Sequence, residues 1–400
     1  MKIHSIALVC ALALFSACQT PMIRSVSHED LEKGYGDYLK SYQSDLDGFS
    51  KCYVARIKAE YGKSDRKTQT YDMLILSGGG ALGAFGAGYL QGWGNIQEVD
   101  WKRPEFDNVS GISTGALIAP FAFIGTAESY QEIVDLYSNP KKDWVCERGV
   151  IPIFPSHLSL YKTDGLHEKI RSVVTQGMIE KLAQGSSEKR VLMVGATNVD
   201  YGIMRVWDLA DISSNYPPDI ATEKINSILF ASSAIPGVFP PVLIDSLLYV
   251  DGGAAMQMLG GIGNRDWAYR PDVNDLNFIS KSAPVKIRIW AILNQKLLPD
   301  SKVIQPRWTS IAKRSLNILV RASTLQTLQD TETYVHLVDK FEEFEVEFRY
   351  VAIPQDYEIK GEDHIFDAEV MRELIKLGQE MGEDPTSWRT HALQPSAPFE

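Results

Sequence analysis

Several things are missing from this chain. There is no low-complexity block, no internal repeat and no clear interdomain linker, which sets aside solenoid, fibrous and disordered architectures. No sustained basic stripe is present to neutralise phosphates, and the formal net charge is −11, so a nucleic-acid partner is excluded. The same balance argues against docking on anionic lipid by bulk charge alone. The apolar run Ile6–Phe15 is too short to span a bilayer as a helix. What remains is an ordinary globular composition, 44% hydrophobic over 400 residues, enough to bury one large core or two smaller ones.

The short run has another reading. Lys2 supplies a positive start, the apolar stretch follows, and Phe15-Ser16-Ala17-Cys18 closes it, the layout of a secretory signal. This ending resembles the lipobox of bacterial lipoproteins, with residues 1–17 removed, Cys18 lipidated and 18–27 a tether. Phe15 replaces the usual smaller aliphatic residue, and the alternative is an ordinary signal with an incidental Cys18. Gln19 after the cysteine resembles the outer-membrane sorting pattern, so the expected location is the bacterial envelope, facing periplasm or surface; the alternative is a secreted or periplasmic protein. With Cys10 removed and Cys18 acylated, only Cys52 and Cys146 of the four cysteines are left, as a pair or as two separate thiols.

Residues 28–70 read as an N-terminal helical extension, with Leu31, Tyr35, Tyr38, Leu39, Tyr42, Leu46 and Phe49 along one face at spacings of three and four. From Tyr71 the chain alternates short apolar runs with longer helical patterns, the signature of an α/β layered fold with a largely parallel sheet. Strands are predicted at Met73–Leu76, Arg190–Gly195, Met204–Leu209, Leu247–Val250, Val285–Leu293 and Glu345–Ala352. Helices are predicted at Ser129–Tyr137, Gly165–Thr175, Ala221–Ala231, Thr309–Leu328 and Phe366–Met381. The simplest division is a catalytic core over 71–260, with 261–400 completing the domain.

Chemistry concentrates in three stretches. Gly111-Ile112-Ser113-Thr114-Gly115 is a GxSxG pentapeptide between a strand-like and a helix-like segment, the arrangement that presents a serine on a tight turn with glycines at the crowded positions. Gly78-Gly79-Gly80-Ala81-Leu82-Gly83 follows a predicted strand. Its amides converge at a helix N-terminus, either as an oxyanion hole or, since Gly78, Gly80 and Gly83 satisfy GxGxxG, as a dinucleotide cradle. The dinucleotide reading wants an acidic residue at the end of the next strand, where this chain has the serine elbow. The third stretch, Tyr249-Val250-Asp251-Gly252-Gly253, delivers a carboxylate into a glycine turn. An aspartate close to a serine in desolvated surroundings can act as its base.

Together these stretches resemble the patatin-like phospholipase family over Asp72 to about Gly253, with Thr197-Asn198 and the segment Ala231–Pro241 also matching; Phe366–Gly382 resembles the closing helix of many bacterial members. The resemblance implies a three-layer α/β fold with a central, largely parallel sheet. It also implies a Ser-Asp dyad of Ser113 and Asp251, an oxyanion hole from the glycine turn, no metal and no cofactor. The expected activity is serine acylhydrolysis of lipid or phospholipid esters, with a lipid anchor at the membrane and no obligatory protein partner. Leu82 stands where members often carry Arg, and Gln257 where they often carry Asn, which leaves pocket shape and substrate preference open. A relative that binds lipid or a partner without catalysis is the alternative. An α/β-hydrolase triad using His336 or His364 is disfavoured, because only about thirty residues separate the glycine turn from the serine.

Overall fold

The computed structural model describes residues 24–61, 69–147, 158–259, 276–338, 342–359 and 365–390. Cys18, the signal segment and His364 lie outside these residues. The fold is a three-layer α/β sandwich around one mostly parallel sheet, as the alternating pattern predicts.

Seven strands form the continuous path of the sheet, and an eighth pairs from its side. The strands are β1 (Gln69–Leu76), β2 (Asn108–Ile112), β5 (Val191–Asn198), β6 (Ile203–Asp208), β7 (Val242–Ile244), β8 (Leu247–Asp251), β9 (Val285–Leu293) and β10 (Phe344–Ala352). β3 (Cys146–Glu147) and β4 (Tyr161–Lys162) make a separate ribbon. The order is β10-β9-β1-β2-β5-β8-β7, with β6 also on β5. The first five of these strands run parallel, while β6 and β8 are antiparallel to β5 and β7 to β8. Strands β9 and β10 extend the sheet beyond β1, so residues after 261 build its layer rather than a separate unit. The central strands read as unbroken apolar runs because both of their faces are covered.

Side-chain alternation sorts the strand residues into two cores. Leu74, Leu76, Val109, Leu192, Val194, Trp290 and Ile292 point to one face. That face is covered by α2 (Gly83–Trp93), α3 (Thr114–Ile124), α4 (Ala127–Ser138), α5 (Asp164–Val173), α6 (Gln176–Ser187), α7 (Leu209–Asn215), α8 (Pro218–Ser232) and α10 (Ala368–Gly382). Tyr71, Met73, Ile75, Ile287, Ile289 and Phe348 point the other way, under α1 (His28–Tyr61) and α9 (Trp308–Val338).

The expected apolar face of α1 is only partly used. Tyr42, Phe49, Tyr53 and Ile57 are buried, but Tyr35 and Leu39 are exposed. The first turns overhang the sheet, and there Tyr35 and Tyr38 pack on the single ring of Tyr201. Cys52 and Cys146 are free thiols.

Within the layer over the Leu74 face, two helices pack backbone against backbone. α2 and α10 touch through reciprocal small-residue ladders: a Cβ at Gly88 would sit 2.1 Å from Ile375 O, and one at Gly378 would sit 2.2 Å from Phe85 O. Only glycine permits this approach, and through it the C-terminal helix fixes the helix that starts at the glycine-rich turn. Gly88→Ala should therefore destabilise by roughly 1–3 kcal/mol through overpacking. Gly36→Ala, on an exposed turn of α1 with nothing within 4 Å, should stabilise by about 0.5–1 kcal/mol. Denaturant melts of the two variants would check this; equal effects would contradict the close-packing account.

Candidate active site

The elbow is built from sterics. Ser113 follows β2 with φ 55° and ψ −123°, a conformation that L-residues adopt at a cost. Its neighbours must then be glycine: a Cβ at Gly111 would lie 2.3 Å from Gly115 O, and one at Gly115 would lie 2.3 Å from Leu76 O. The strained turn is held by Ser232, the last residue of α8. Ser113 N–H donates to Ser232 Oγ at 3.0 Å, and that hydroxyl donates onward to Gly195 O at 2.7 Å. Helix α3 starts immediately after the serine, so its N-terminal dipole faces Ser113.

Strand β5 is the ruler that brings the aspartate opposite. Ile112 at the end of β2 pairs with Gly195, and Asp251 at the end of β8 pairs with the next residue, Ala196. Because β6 occupies the other edge of β5 at both positions, β2 and β8 lie on one edge and meet there head to head. Asp251 is then fixed from several sides. Its N–H donates to Ala234 O at 2.8 Å, Thr197 Oγ1 donates to its carbonyl at 3.0 Å, and its Oδ1 accepts from Gly253 N–H at 2.7 Å.

The second carboxylate oxygen is the chemically interesting one. Asp251 Oδ2 is buried with no hydrogen-bond partner among the described residues. Burial pushes the Asp251 pKa up to about 7, against the lowering effect of the Ser113 hydroxyl and the Gly253 amide. Ser113 is thus near enough to act on the carboxylate, while Oδ2 lacks a closed hydrogen bond, a looseness common in sites without substrate. Asp208 is raised to about 7 as well, but it accepts from the amides of Leu192, Ala210 and Asp211 at the start of α7 and serves as a cap.

The four glycines expected to donate to an oxyanion divide into two kinds. Gly78 N–H is already committed to Gln257 O at 3.1 Å, and Gly83 N–H turns inward to the carbonyls of Gly80 and Ala81. This corrects the expectation for Gly78 and Gly83, whose absent side chains matter instead. A Cβ at Gly78 would meet Gln257 Oε1 at 2.3 Å, and one at Gly83 would meet Thr114 Oγ1 at 2.1 Å. Among the described residues no acceptor takes the Gly79 or Gly80 amides. Gly80, at φ 57°, lines the same pocket as Ser113.

Three positioning residues were not singled out from the sequence in these roles. Asn294, fully buried just past β9, donates through Nδ2 to Ser77 O at 2.9 Å and accepts from Gly86 N–H at 3.1 Å. It pins both ends of the glycine turn. Gln257 holds Gly78 through its carbonyl and donates from Nε2 to Gly253 O at 3.1 Å, tying the glycine-rich turn to the Asp-Gly-Gly turn. Gly252 and Gly253 admit close neighbours, since their Cβ atoms would meet Gly195 O at 2.6 Å and Gln257 Nε2 at 2.1 Å. Ser232 is the third, and its place in the Ala231–Pro241 segment was the available signal. Leu82 is half-buried against the core.

Ser113 opens into an apolar pocket of about 100 Å³, walled by Leu117, Phe121, Ile133, Ile170, Met178 and Leu229 among others. No acidic residue lines it, and β2 ends at Ile112 and runs into Ser113, where the dinucleotide reading wants an acidic residue. His336 lies in the last turn of α9, which leads into the start of β10 and therefore belongs to the opposite edge of the sheet from Ser113. Among the described residues no group of three or more His, Cys, Asp or Glu side chains is placed to hold a metal ion.

Substitution of Asp251 makes a stability test with a defined sign. A carboxylate whose folded pKa is about 7, above its usual 3.8, contributes stability that is fully present below about pH 4 and lost as pH rises through 7. Asp251→Asn keeps the Oδ1 acceptor and removes the buried charge. It should be more stable than the parent at pH 8, by up to a few kcal/mol, with the gap closing toward pH 5. Urea melts at both pH values measure this; an Asn variant less stable than the parent at pH 8 would contradict the buried, raised carboxylate.

Residues 74–258 match the family model of patatin-like phospholipase. No curated protein matches the chain. Among solved structures, the chain is similar to the crystal structure of VipD from Legionella pneumophila at 12% identity and a TM-score of 0.33, covering 80% of this chain and 68% of that one.

Proposed function

From the premise that residues 74–258 form a patatin-like phospholipase domain, the domain of a lipid-hydrolase family, we propose that the protein is a serine acylhydrolase cleaving phospholipid, lysophospholipid or related lipid esters with a Ser113–Asp251 dyad. The observation that carries this is a buried, unpartnered carboxylate oxygen with a pKa raised to about 7, acting on a strained serine at the mouth of an apolar pocket. A base tuned near neutrality takes a hydroxyl proton well at physiological pH.

The acyl chain enters the apolar pocket and brings its carbonyl over Ser113. As Ser113 Oγ bonds to the carbonyl carbon, its proton passes to Asp251 Oδ2. The carbonyl oxygen becomes an oxyanion held by the Gly79 and Gly80 amides and favoured by the N-terminus of α3. The tetrahedral centre collapses, the ester C–O bond breaks, and the departing alcohol takes the proton from Asp251. Water, deprotonated by the same carboxylate, then resolves the acyl-enzyme and regenerates both groups. The oxyanion donors are backbone amides fixed before substrate arrives, so no reorganisation is needed as charge develops.

The same reading places the enzyme at an envelope membrane through an acylated Cys18. One experiment addresses both points: intact-mass measurement of the detergent-solubilised native protein before and after a serine-reactive fluorophosphonate. The expected result is a mature chain that starts at Cys18 with added acyl mass, and one further adduct that is absent in Ser113→Ala. Lipid-ester turnover should fall by several orders of magnitude in both Ser113→Ala and Asp251→Asn. A folded protein that takes no adduct and turns over no ester would contradict the acylhydrolase, and an unmodified mature N-terminus would contradict the anchor.

A further inference from the structure

Helix α9 has two dissimilar halves. Its buried residues, Thr324, Leu328, Thr331 and Val335, all lie in the C-terminal half. The N-terminal half carries exposed large apolar side chains: Trp308 (67% exposed), Ile311 (51%), Leu316, Ile318 and Leu319 (66%). Positions 308, 311, 312, 315, 318, 319 and 322 follow the helical period. They gather Trp308, Ile311, Ala312, Ser315, Ile318, Leu319 and Ala322 into one stripe facing solvent. Val303, just before the helix, is 93% exposed. An isolated exposed leucine needs no explanation, but a stripe of this length does.

The net charge of −11 conceals a local excess of the other sign. From residue 301 to 329 the chain has Lys302, Arg307, Lys313, Arg314 and Arg321 and no acidic residue. Arg307 immediately precedes the helix, and on it Lys313, Arg314 and Arg321 flank or oppose the apolar stripe. Arg314 and Arg321 also brace the helix, donating to Asp300 O at 2.8 Å and to Leu298 O at 2.6 Å.

Its place in the fold gives this half-helix a direction. α9 joins the end of β9 to the start of β10, two parallel strands, so it runs antiparallel to both. Thr324 sits beside Gln295, just past the C-terminal end of β9. Trp308 lies sixteen residues earlier in the helix, about 24 Å along its axis, on the side of Thr324 that leads away from the strands. The glycine turn and Ser113 follow the C-terminal ends of β1 and β2 at the same edge of the sheet.

We propose that the N-terminal half of α9 is an interfacial helix that inserts its Trp308–Ile311–Leu319 stripe into a lipid surface carrying anionic headgroups. Its cations lie at headgroup level and the catalytic edge of the sheet faces the bilayer. The charge pattern selects this occupant. Pairing with a second copy would bring two all-cationic segments together, which is unfavourable, whereas an anionic surface gains from the same charges and from apolar burial. The purpose given to this orientation, delivery of lipid to the pocket, rests on the acylhydrolase reading; the binding does not.

The test uses the full chain with Cys18→Ser, so that no acyl anchor contributes, and vesicles of phosphatidylcholine with or without phosphatidylglycerol. Sedimentation should show binding that strengthens with phosphatidylglycerol and weakens with salt. Ile311→Asp combined with Leu319→Asp should lower it by roughly tenfold or more, while hydrolysis of a short soluble ester stays at the parent level. Brominated lipid should quench a tryptophan signal that is missing in Trp308→Phe. Binding that is absent in the parent, or unchanged in the double variant, overturns the proposal. Loss of a dimer in the double variant without any vesicle binding also overturns it and assigns the face to a second copy. Binding that persists while no ester is turned over leaves this proposal standing and removes the acylhydrolase alone.

Discussion

Two strands that end against each other along one edge of a third set the geometry of this protein. β2 and β8 approach from opposite directions and stop one residue apart on β5, at Gly195 and Ala196. Neither can continue, so each must turn out of the sheet at that point. One turn carries Ser113 and the other Asp251. The juxtaposition of Ser113 and Asp251 is thus a consequence of backbone hydrogen bonding, fixed by the register of the sheet rather than by flexible side chains. Strand-borne groups are held more firmly than loop-borne ones, and here the shared strand supplies the common reference.

In the proposed mechanism the surroundings convert that spacing into reactivity. Burial raises Asp251 toward 7, where a carboxylate becomes an effective acceptor of a hydroxyl proton, and in that mechanism the role of base requires no histidine. The strain at Ser113 is carried by neighbours: Ser232 satisfies its amide, and the glycines on either side clear the space. The glycine-rich turn is pinned by Asn294, just past β9, and by Gln257 from the segment after Asp251. Gln257 couples the two halves of the site, because one residue holds Gly78 through its carbonyl and Gly253 through its amide.

Much of this was legible in the sequence because the constraints are local. A serine at positive φ between two strand-to-helix glycines leaves a pentapeptide signature, and a buried parallel sheet leaves apolar runs such as Val285–Leu293, whose predicted bounds coincide with β9. What stayed hidden depends on distant pairing. Nothing near Gly78 indicates that its amide is taken by Gln257, so four glycines looked equivalent when only Gly79 and Gly80 keep their donors. Asn294 lies more than 200 positions from the turn it fixes and looks like any polar residue after a strand. The periodic stripe of α1 was real but longer than the surface available to cover it, which left Tyr35 and Leu39 outside. Periodicity reports which face is apolar; it does not report what will pack there.

The central claim is that Asp251 ionises near neutrality and that its charged form activates Ser113. The most direct measurement is the rate of inactivation by a soluble fluorophosphonate as a function of pH, which follows a single attack by the serine without binding to a lipid interface or product release. The account predicts a rate that rises tenfold per pH unit below about 7 and levels off above it, and a slow, flat profile in Asp251→Asn. A midpoint near 7 that survives Asp251→Asn, or a parent rate independent of pH between 5 and 8, would contradict it.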